Sequence, residues 1–178
     1  MRFPNRHWKN GSMKQLTRFA SLAALALIAA CSPGAADAGA KTTQESVAAA
    51  AVHPVSGLPI VPVTITAGDK KLVFRSEVAR TAPEQAKGLM FRTALGDDEA
   101  MIFLRDPPDR AAFWMRNTVI PLDIIFVGRD HKIMNIAANA VPYDETPLPA
   151  AGPTLAVFEI NGGLAAKLGI KPGDRVDW

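Results

Sequence analysis

Beyond residue 57, glycine and proline recur so often that no regular element can run far. Most of the 14 prolines and 13 glycines lie there, and each tends to end a helix or strand or to impose a turn. Between them sit short runs rich in β-branched and apolar residues. In Ile60–Thr66, Val61, Val63 and Ile65 alternate with Pro62, Thr64 and Thr66, the period-two pattern of a half-buried strand. Pro62 suits an edge or a strand start. Gly68-Asp69 is a turn, and Leu72–Val78 returns as the hairpin partner. Further strands are predicted at Ala100–Leu104, Ala111–Met115, Leu122–Val127, Lys132–Ala137 and Leu155–Ile160, with a last edge strand at Arg175–Asp177. Pro107-Pro108 is expected to separate the first two of these. Residues 141–154, with Pro142, Pro147, Pro149 and Pro153, are expected to form an irregular loop.

Two short helices complete the reading. Thr81 and Glu84 have the spacing of a capping box with Pro83 in the tolerant first turn, and Gly88 supplies the exit. Gly163–Leu168 forms the second helix, stopped by Gly169. The predicted fold class is a β-rich single domain over residues 58–178, a mainly antiparallel small barrel or sandwich with one or two short helices. Aromatic residues are only 7% of the chain, so its core is aliphatic.

The chain ahead of that domain reads as an address. Phe19–Ala30 is an apolar run of 12 residues behind a basic leader. A membrane-spanning helix needs about 20 apolar residues, whereas this length suits a signal-peptide core. Translation starts at Met1 or at Met13, and either start leaves a positive leader. Ile28-Ala29-Ala30-Cys31 resembles the lipobox of bacterial lipoproteins, in which the thiol receives a diacylglycerol and the chain is cut before the cysteine. The competing reading is ordinary cleavage at residues 36–38 or 38–40, which discards Cys31. The expectation is residues 1–30 as signal peptide, then a lipidated Cys31 on a flexible Ala/Gly/Ser/Pro-rich tether to residue 57. The protein would then be exported to the periplasm with a membrane as its partner. Ser32, rather than Asp, after the cysteine leans towards the outer membrane by resemblance to proteobacterial lipoproteins.

Charge narrows the partners. The chain has 20 Lys and Arg against 17 Asp and Glu. Arg2, Arg6, Lys9, Lys14 and Arg18 lie in the leader, which has no acid, so the remainder carries 15 − 17 = −2. A basic nucleic-acid surface is therefore not supported, and a nucleic-acid partner is not expected. One cysteine and three scattered histidines point to no disulfide framework, no metal and no cofactor. Met90, Met101, Met115 and Met134 sit at unrelated intervals in apolar stretches and read as gap-fillers rather than a copper motif.

Six segments together resemble one family: GLMFR (88–92), MIF (101–103), FWMRNTVIPLDIIFV (113–127), DETP (144–147), EINGG (159–163) and LGIKPGDRV (168–176). They resemble the domain-of-unknown-function 192 family over residues 60–178. The resemblance implies a small, β-rich, often exported domain and brings no reaction with it. One departure is Asp130-His131, where that family often has Asp-Gly. The tail from Gly162 also resembles the end of a PDZ domain, but Pro59 removes an N–H that a PDZ carboxylate-binding loop must donate.

Asp123 is the most informative polar residue, because it interrupts an apolar strand. A carboxylate there must be paired, solvated at a cleft or protonated. The structural reading has it bonded to backbone N–H groups or to Arg116. The functional reading makes it a general acid or ligand acceptor. Glu159 is either a strand-end carboxylate capping the turn that follows or the second member of a two-carboxylate site with Asp123, as in a hydrolase or lyase of the cell envelope. Asn117, Asn139 and Asn161 are candidate polar contacts for a ligand, and asparagine is also a common turn residue. Trp114 is expected in the core, with an exposed ligand platform as the competing reading. Ser56 and Ser76 lack a nearby His and acid in sequence, so no serine nucleophile is expected. No Walker loop, dinucleotide fingerprint, nucleophile elbow or HExxH is present. The function expected is non-catalytic binding of a small ligand or an envelope partner.

Overall fold

The computed structural model describes residues 51–178. The predicted signal peptide, Cys31 and most of the predicted tether lie outside the described residues. The elements are β1 (Ile60–Ala67), β2 (Lys70–Ala79), α1 (Ala82–Lys87), β3 (Glu99–Phe113), β4 (Leu122–Gly128), β5 (Ile133–Ala140), β6 (Leu148–Asn161), α2 (Leu164–Leu168) and β7 (Arg175–Asp177). They build a β-rich domain around one seven-stranded sheet of order β5-β4-β6-β3-β2-β1-β7. Only β2 and β3 pair in parallel, joined through α1, and every other neighbour is antiparallel. The sheet curls until its two ends meet. A bridge joins Lys132 to Arg175, and the N–H of Ile133 donates to the carbonyl of Asp174 at 2.9 Å.

The alternation seen in the sequence becomes two apolar layers, one on each face. Inside the curl lie Val63 and Ile65 of β1, Phe74 and Val78 of β2, Ile102 of β3, Ile125 and Val127 of β4, Phe158 and Ile160 of β6, and Val176 of β7, with α2 packed against them through Leu164 and Ala165. On the outer face lie Met101 and Phe103 of β3, Ile124 and Phe126 of β4 and Val157 of β6, covered by Leu89, Leu95 and Met115. Every residue of β4 is buried. As expected, the core is chiefly aliphatic.

Several boundaries differ from the sequence reading, for identifiable reasons. The two strands expected on either side of Pro107-Pro108 are one strand of 15 residues with register shifts at Leu104/Asp109 and Arg110/Ala112. Those irregularities absorb the prolines as bulges do. They also bend the strand back: the rings of Phe103 and Phe113 meet edge to face at 5.0 Å, although ten residues of straight strand would span about 33 Å. The expected loop 141–154 is strand from Leu148 onward. Pro149 and Pro153 pair only with β3, at Ala112 and Arg110, so their missing N–H falls on an edge. Asn135 of β5 serves that edge with its side chain: its amide donates to the Pro149 carbonyl and accepts from the N–H of Ala151.

Residues 51–57, expected as part of the tether, are packed against the domain. The N–H of Ile60 donates to Ala51 O at 2.7 Å, and His53 is buried. Glu77, also buried, accepts hydrogen bonds from the Ser56 hydroxyl and an Arg92 guanidinium N–H, with His53 Nδ1 at 3.6 Å. Ser56 therefore does have an acid and a histidine beside it. Its hydroxyl donates to the carboxylate rather than to the imidazole, so the arrangement pins residues 51–57 to β2 and is not a nucleophile with its base.

α1 has the expected capping box between Thr81 and Glu84. His131 holds φ 61° at the turn before β5, a conformation that histidine tolerates better than most residues.

Asp123 ties the far end together. It is fully buried on the face shared with Ile160, its partner on β6. Its Oδ1 accepts from the N–H groups of Asn139 at 2.7 Å and Gly163 at 2.9 Å, and its Oδ2 accepts from Ala165 at 2.7 Å. One carboxylate thus joins β5, the turn after β6 and the first turn of α2, where N–H groups lack helical partners. This is the backbone-bonded structural reading. The alternative partner, Arg116, instead pairs with Glu145 at 2.6 Å.

Asp123→Asn places an amide N–H against donors that need an acceptor. We expect a loss of about 2–3 kcal/mol, the range for a buried charge-assisted hydrogen bond and its unsatisfied partners, read from the urea unfolding midpoint. A loss under ~0.5 kcal/mol, typical of surface changes, would refute the structural role.

Candidate functional site

A cleft of about 270 Å³ opens on the outer face of the sheet. One wall is the end of α1 and the chain after it, from Gln85 to Met90. The opposite wall is the bent end of β3 and the corner beyond it, with Phe113, Trp114, Arg116 and Thr118. Phe103, Arg105 and Glu159 complete the lining. The bend in β3 creates this space, because it brings Phe113 back over Phe103.

Glu159 sits in β6 between Met101 of β3 and Ile124 of β4, both fully buried. It is only 5% exposed, and among the described residues no hydrogen-bond donor or cation reaches its carboxyl. Burial pushes its pKa from the ordinary 4.5 up to about 8, since a carboxylate in apolar surroundings loses its hydration. At neutral pH this side chain is an uncharged acid, able to donate one hydrogen bond and accept others.

The other charged side chains of the cleft lining are cationic. Lys87, Arg105 and Arg116 line the cleft. Arg105 bonds Asp109 through two nitrogens, and Arg116 pairs with Glu145, which holds the Glu145 carboxyl below the usual range. The Arg116 guanidinium also lies 4.4 Å from the centre of the Trp114 ring, a cation–π contact. Trp114 is 48% exposed. It is thus a surface aromatic on the cleft rather than the core residue expected, because β3 ends at Phe113 and the corner turns the indole outward while Met115 goes inward.

The backbone at this end is unusual. Phe91, Asn117 and Tyr143 have φ of 63°, 54° and 65°, a left-handed conformation that costs a bulky side chain energy. They are stitched together: the N–H of Phe91 donates to Asn117 O, and that of Tyr143 to Met115 O. Strained residues held by their surroundings cluster at functional sites.

The six predicted site residues divide. Trp114 and Glu159 line the cleft. Asn117 borders it, its amide 3.8 Å from the Met90 sulfur. Asn139 holds φ 51° and gives its N–H to Asp123, away from the cleft. Asn161 donates to Leu95 O at 2.6 Å, tying down the 95–97 segment. Asp123 lies on the other face of the sheet. Since it pairs with Ile160 while Glu159 pairs with Ile124, successive side chains of β6 point opposite ways. The two-carboxylate site of the hydrolase reading therefore does not form. The capping role expected for Glu159 belongs to Asp123. Lys87, Arg105, Gln85 and Phe103 were not anticipated at a site. Met90, Arg116 and Thr118 come from the quoted GLMFR and FWMRNT segments, and Glu159 from EINGG, so the segments carrying the family resemblance converge here. Among the described residues no group of His, Cys, Asp and Glu is arranged to hold a metal.

A family model, DUF192, described as "Uncharacterized ACR", matches residues 63–178. The chain belongs to the DUF192 family. A crystal structure of a protein of unknown function from Novosphingobium aromaticivorans is 80% identical, with TM-score 0.72, over 74% of this chain and 94% of that one. A second, from Sinorhizobium meliloti, is 30% identical, with TM-score 0.66, over 67% of this chain and 94% of that one. The Sinorhizobium protein is named "putative transcription regulator". No curated protein matches.

Glu159→Gln tests the buried acid. The folded state keeps a proton that the unfolded chain releases above pH 4.5, so stability is full below that pH and falls by ~1.4 kcal/mol per unit as pH rises towards the folded pKa near 8. The variant is expected to be more stable than the parent by roughly 3 kcal/mol at pH 7 and nearly equal to it at pH 4, measured by urea unfolding at both. Equal stability at the two pH values would show an ordinary carboxyl.

Proposed function

We propose that this protein is an exported, membrane-held member of its family whose domain binds a small ligand in the cleft at Glu159 and Trp114. The observation that carries the reading is Glu159: a carboxyl 5% exposed, without a hydrogen-bond partner among the described residues, on the wall of an open cleft. Keeping the charged form of such a group in apolar surroundings costs stability. Sites retain unfavourable groups of this kind for function. Trp114 adds a half-exposed ring, and apolar walls with a few convergent polar groups are the usual make-up of a small-molecule site. The transcription-regulator name of the Sinorhizobium protein is not carried over, because the chain beyond its leader has a net charge of −2.

Membrane attachment rests on the basic leader, the apolar run and Cys31. Lipid chains on Cys31 would hold the protein at the periplasmic face of a membrane, by preference the outer one, at ~0.8 kcal/mol per buried CH₂.

A hydrolase or lyase is the second reading. It now rests on Glu159 alone, whose pKa near 8 suits a general acid at neutral pH.

A thermal-shift screen of the full-length chain against glycans, peptides and small metabolites tests the binding reading. A compound at 100 times its Kd stabilises the folded state by about 2.7 kcal/mol. The shift should disappear in Trp114→Ala, which removes a half-exposed ring and keeps the fold. Compounds that shift both proteins equally would place binding elsewhere. In the producing cells, Cys31→Ala should either release the protein from the membrane fraction or leave it there as a longer, uncleaved form. An unaltered distribution together with an unaltered mature length would refute the anchor.

A further inference from the structure

The cleft lining has three cationic side chains and one acid. Lys87 ends α1, Arg105 lies in the bend of β3, Arg116 lies in the corner beyond β3, and Glu159 faces them from β6. Arg105 and Arg116 are paired with Asp109 and Glu145, neither of which lines the cleft. Lys87 has no ion pair among the described residues. The Glu159 carboxyl between Met101 and Ile124 has no cation to stabilise its ionised form, so it is protonated at neutral pH. The lining thus presents positive charge, one acidic O–H and the rings of Phe103, Phe113 and Trp114. Elsewhere beyond the leader, the chain is slightly acidic.

We infer that the ligand of this cleft is a small organic anion, a carboxylate with an apolar or aromatic body, whose oxygen accepts the Glu159 proton while Lys87 and Arg116 balance its charge. This rests on the reading of the cleft as a ligand site and specifies its substrate class. A carboxylate and a neutral carboxylic acid share one proton readily, because two like charges at that distance cannot both ionise. The ligand's apolar body lies against the rings. An amine would meet the Lys87 ammonium and two guanidinium groups already paired with carboxylates. A neutral ligand would leave Lys87 without a role.

The arrangement makes binding proton-linked. Ionised Glu159 would repel the anion, so bound ligand holds the proton on, and affinity falls once pH exceeds the free protein's Glu159 pKa. The pKa of about 8 places that fall just above neutrality.

Three aryl probes of similar size separate the possibilities: phenylacetate, phenethylamine and 2-phenylethanol. Each is titrated calorimetrically into the full-length chain up to about 10 mM, above the Kd expected for ligands of some ten atoms. Phenylacetate should bind most tightly at pH 7. Its Kd should stay flat at lower pH and rise towards tenfold per pH unit above about pH 8, as one required proton is lost. Glu159→Gln, which keeps a donor without a titration, should hold phenylacetate within about threefold of the parent at pH 7 and abolish the alkaline fall. Preference for phenethylamine or 2-phenylethanol would overturn the anion assignment and leave the ligand site standing. So would an affinity for phenylacetate that rises with pH in the parent, or an alkaline fall that survives in the variant. Absence of binding by all three probes would sink the ligand-site reading together with it.

Discussion

The Asp123 carboxylate organises one end of the molecule. Two oxygens take three backbone N–H groups from segments as far apart in the chain as Asn139, Gly163 and Ala165. Without that acceptor, the exit of β6 and the start of α2 would bury donors with nothing to receive them. With it, α2 lies against the inner layer and supplies Leu164 and Ala165 to it. Gly162 enters the same turn because there is no room for a side chain: a Cβ there would lie 2.7 Å from the Asn139 oxygen and 2.8 Å from Pro121. The most polar residue of an apolar strand is thus a structural fastener, and the strand next to it carries the acid that faces the cleft.

That division follows from the pleat. Asp123 and Glu159 are near neighbours across the β4–β6 ladder, one register position apart, yet the sheet lies between them. One side is closed by α2 and meets every need of its carboxylate with backbone donors. The other opens into the cleft made by the bend of β3, where no donor among the described residues bonds the Glu159 carboxyl. Two acids of the same chemistry therefore stand in opposite electrostatic situations because of the parity of their positions.

Much of the fold was legible in the sequence because its signals are local. The alternation in β1, the capping box of α1 and the glycine stop after α2 all depend on residues a few positions apart. The prolines of β3 and β6 misled for the opposite reason. Whether Pro149 and Pro153 interrupt a sheet depends on whether a neighbour needs their N–H, and that is decided by how far β4 extends and where Asn135 lies. The same holds for the site. Asp123 and Glu159 stood out as acids in apolar runs, but which faces the cleft depends on cross-strand register. Trp114 and Arg116 were visible as residues, whereas their outward turn depends on where β3 stops. His53, read as part of a tether, is buried by Glu77 and Arg92, from distant parts of the chain.

The meeting of the sheet's two ends affects how this protein behaves in company. A sheet with open flanks offers rows of unused N–H and C=O groups, templates on which another chain can polymerise. Here β7 is only three residues long, its far side is occupied by His131 and Lys132, and the opposite flank begins at Ile133, already bonded to Gly173 and Asp174. Over that stretch each flank caps the other. At high local concentration, the seam presents no vacant row on which a second copy could extend the sheet.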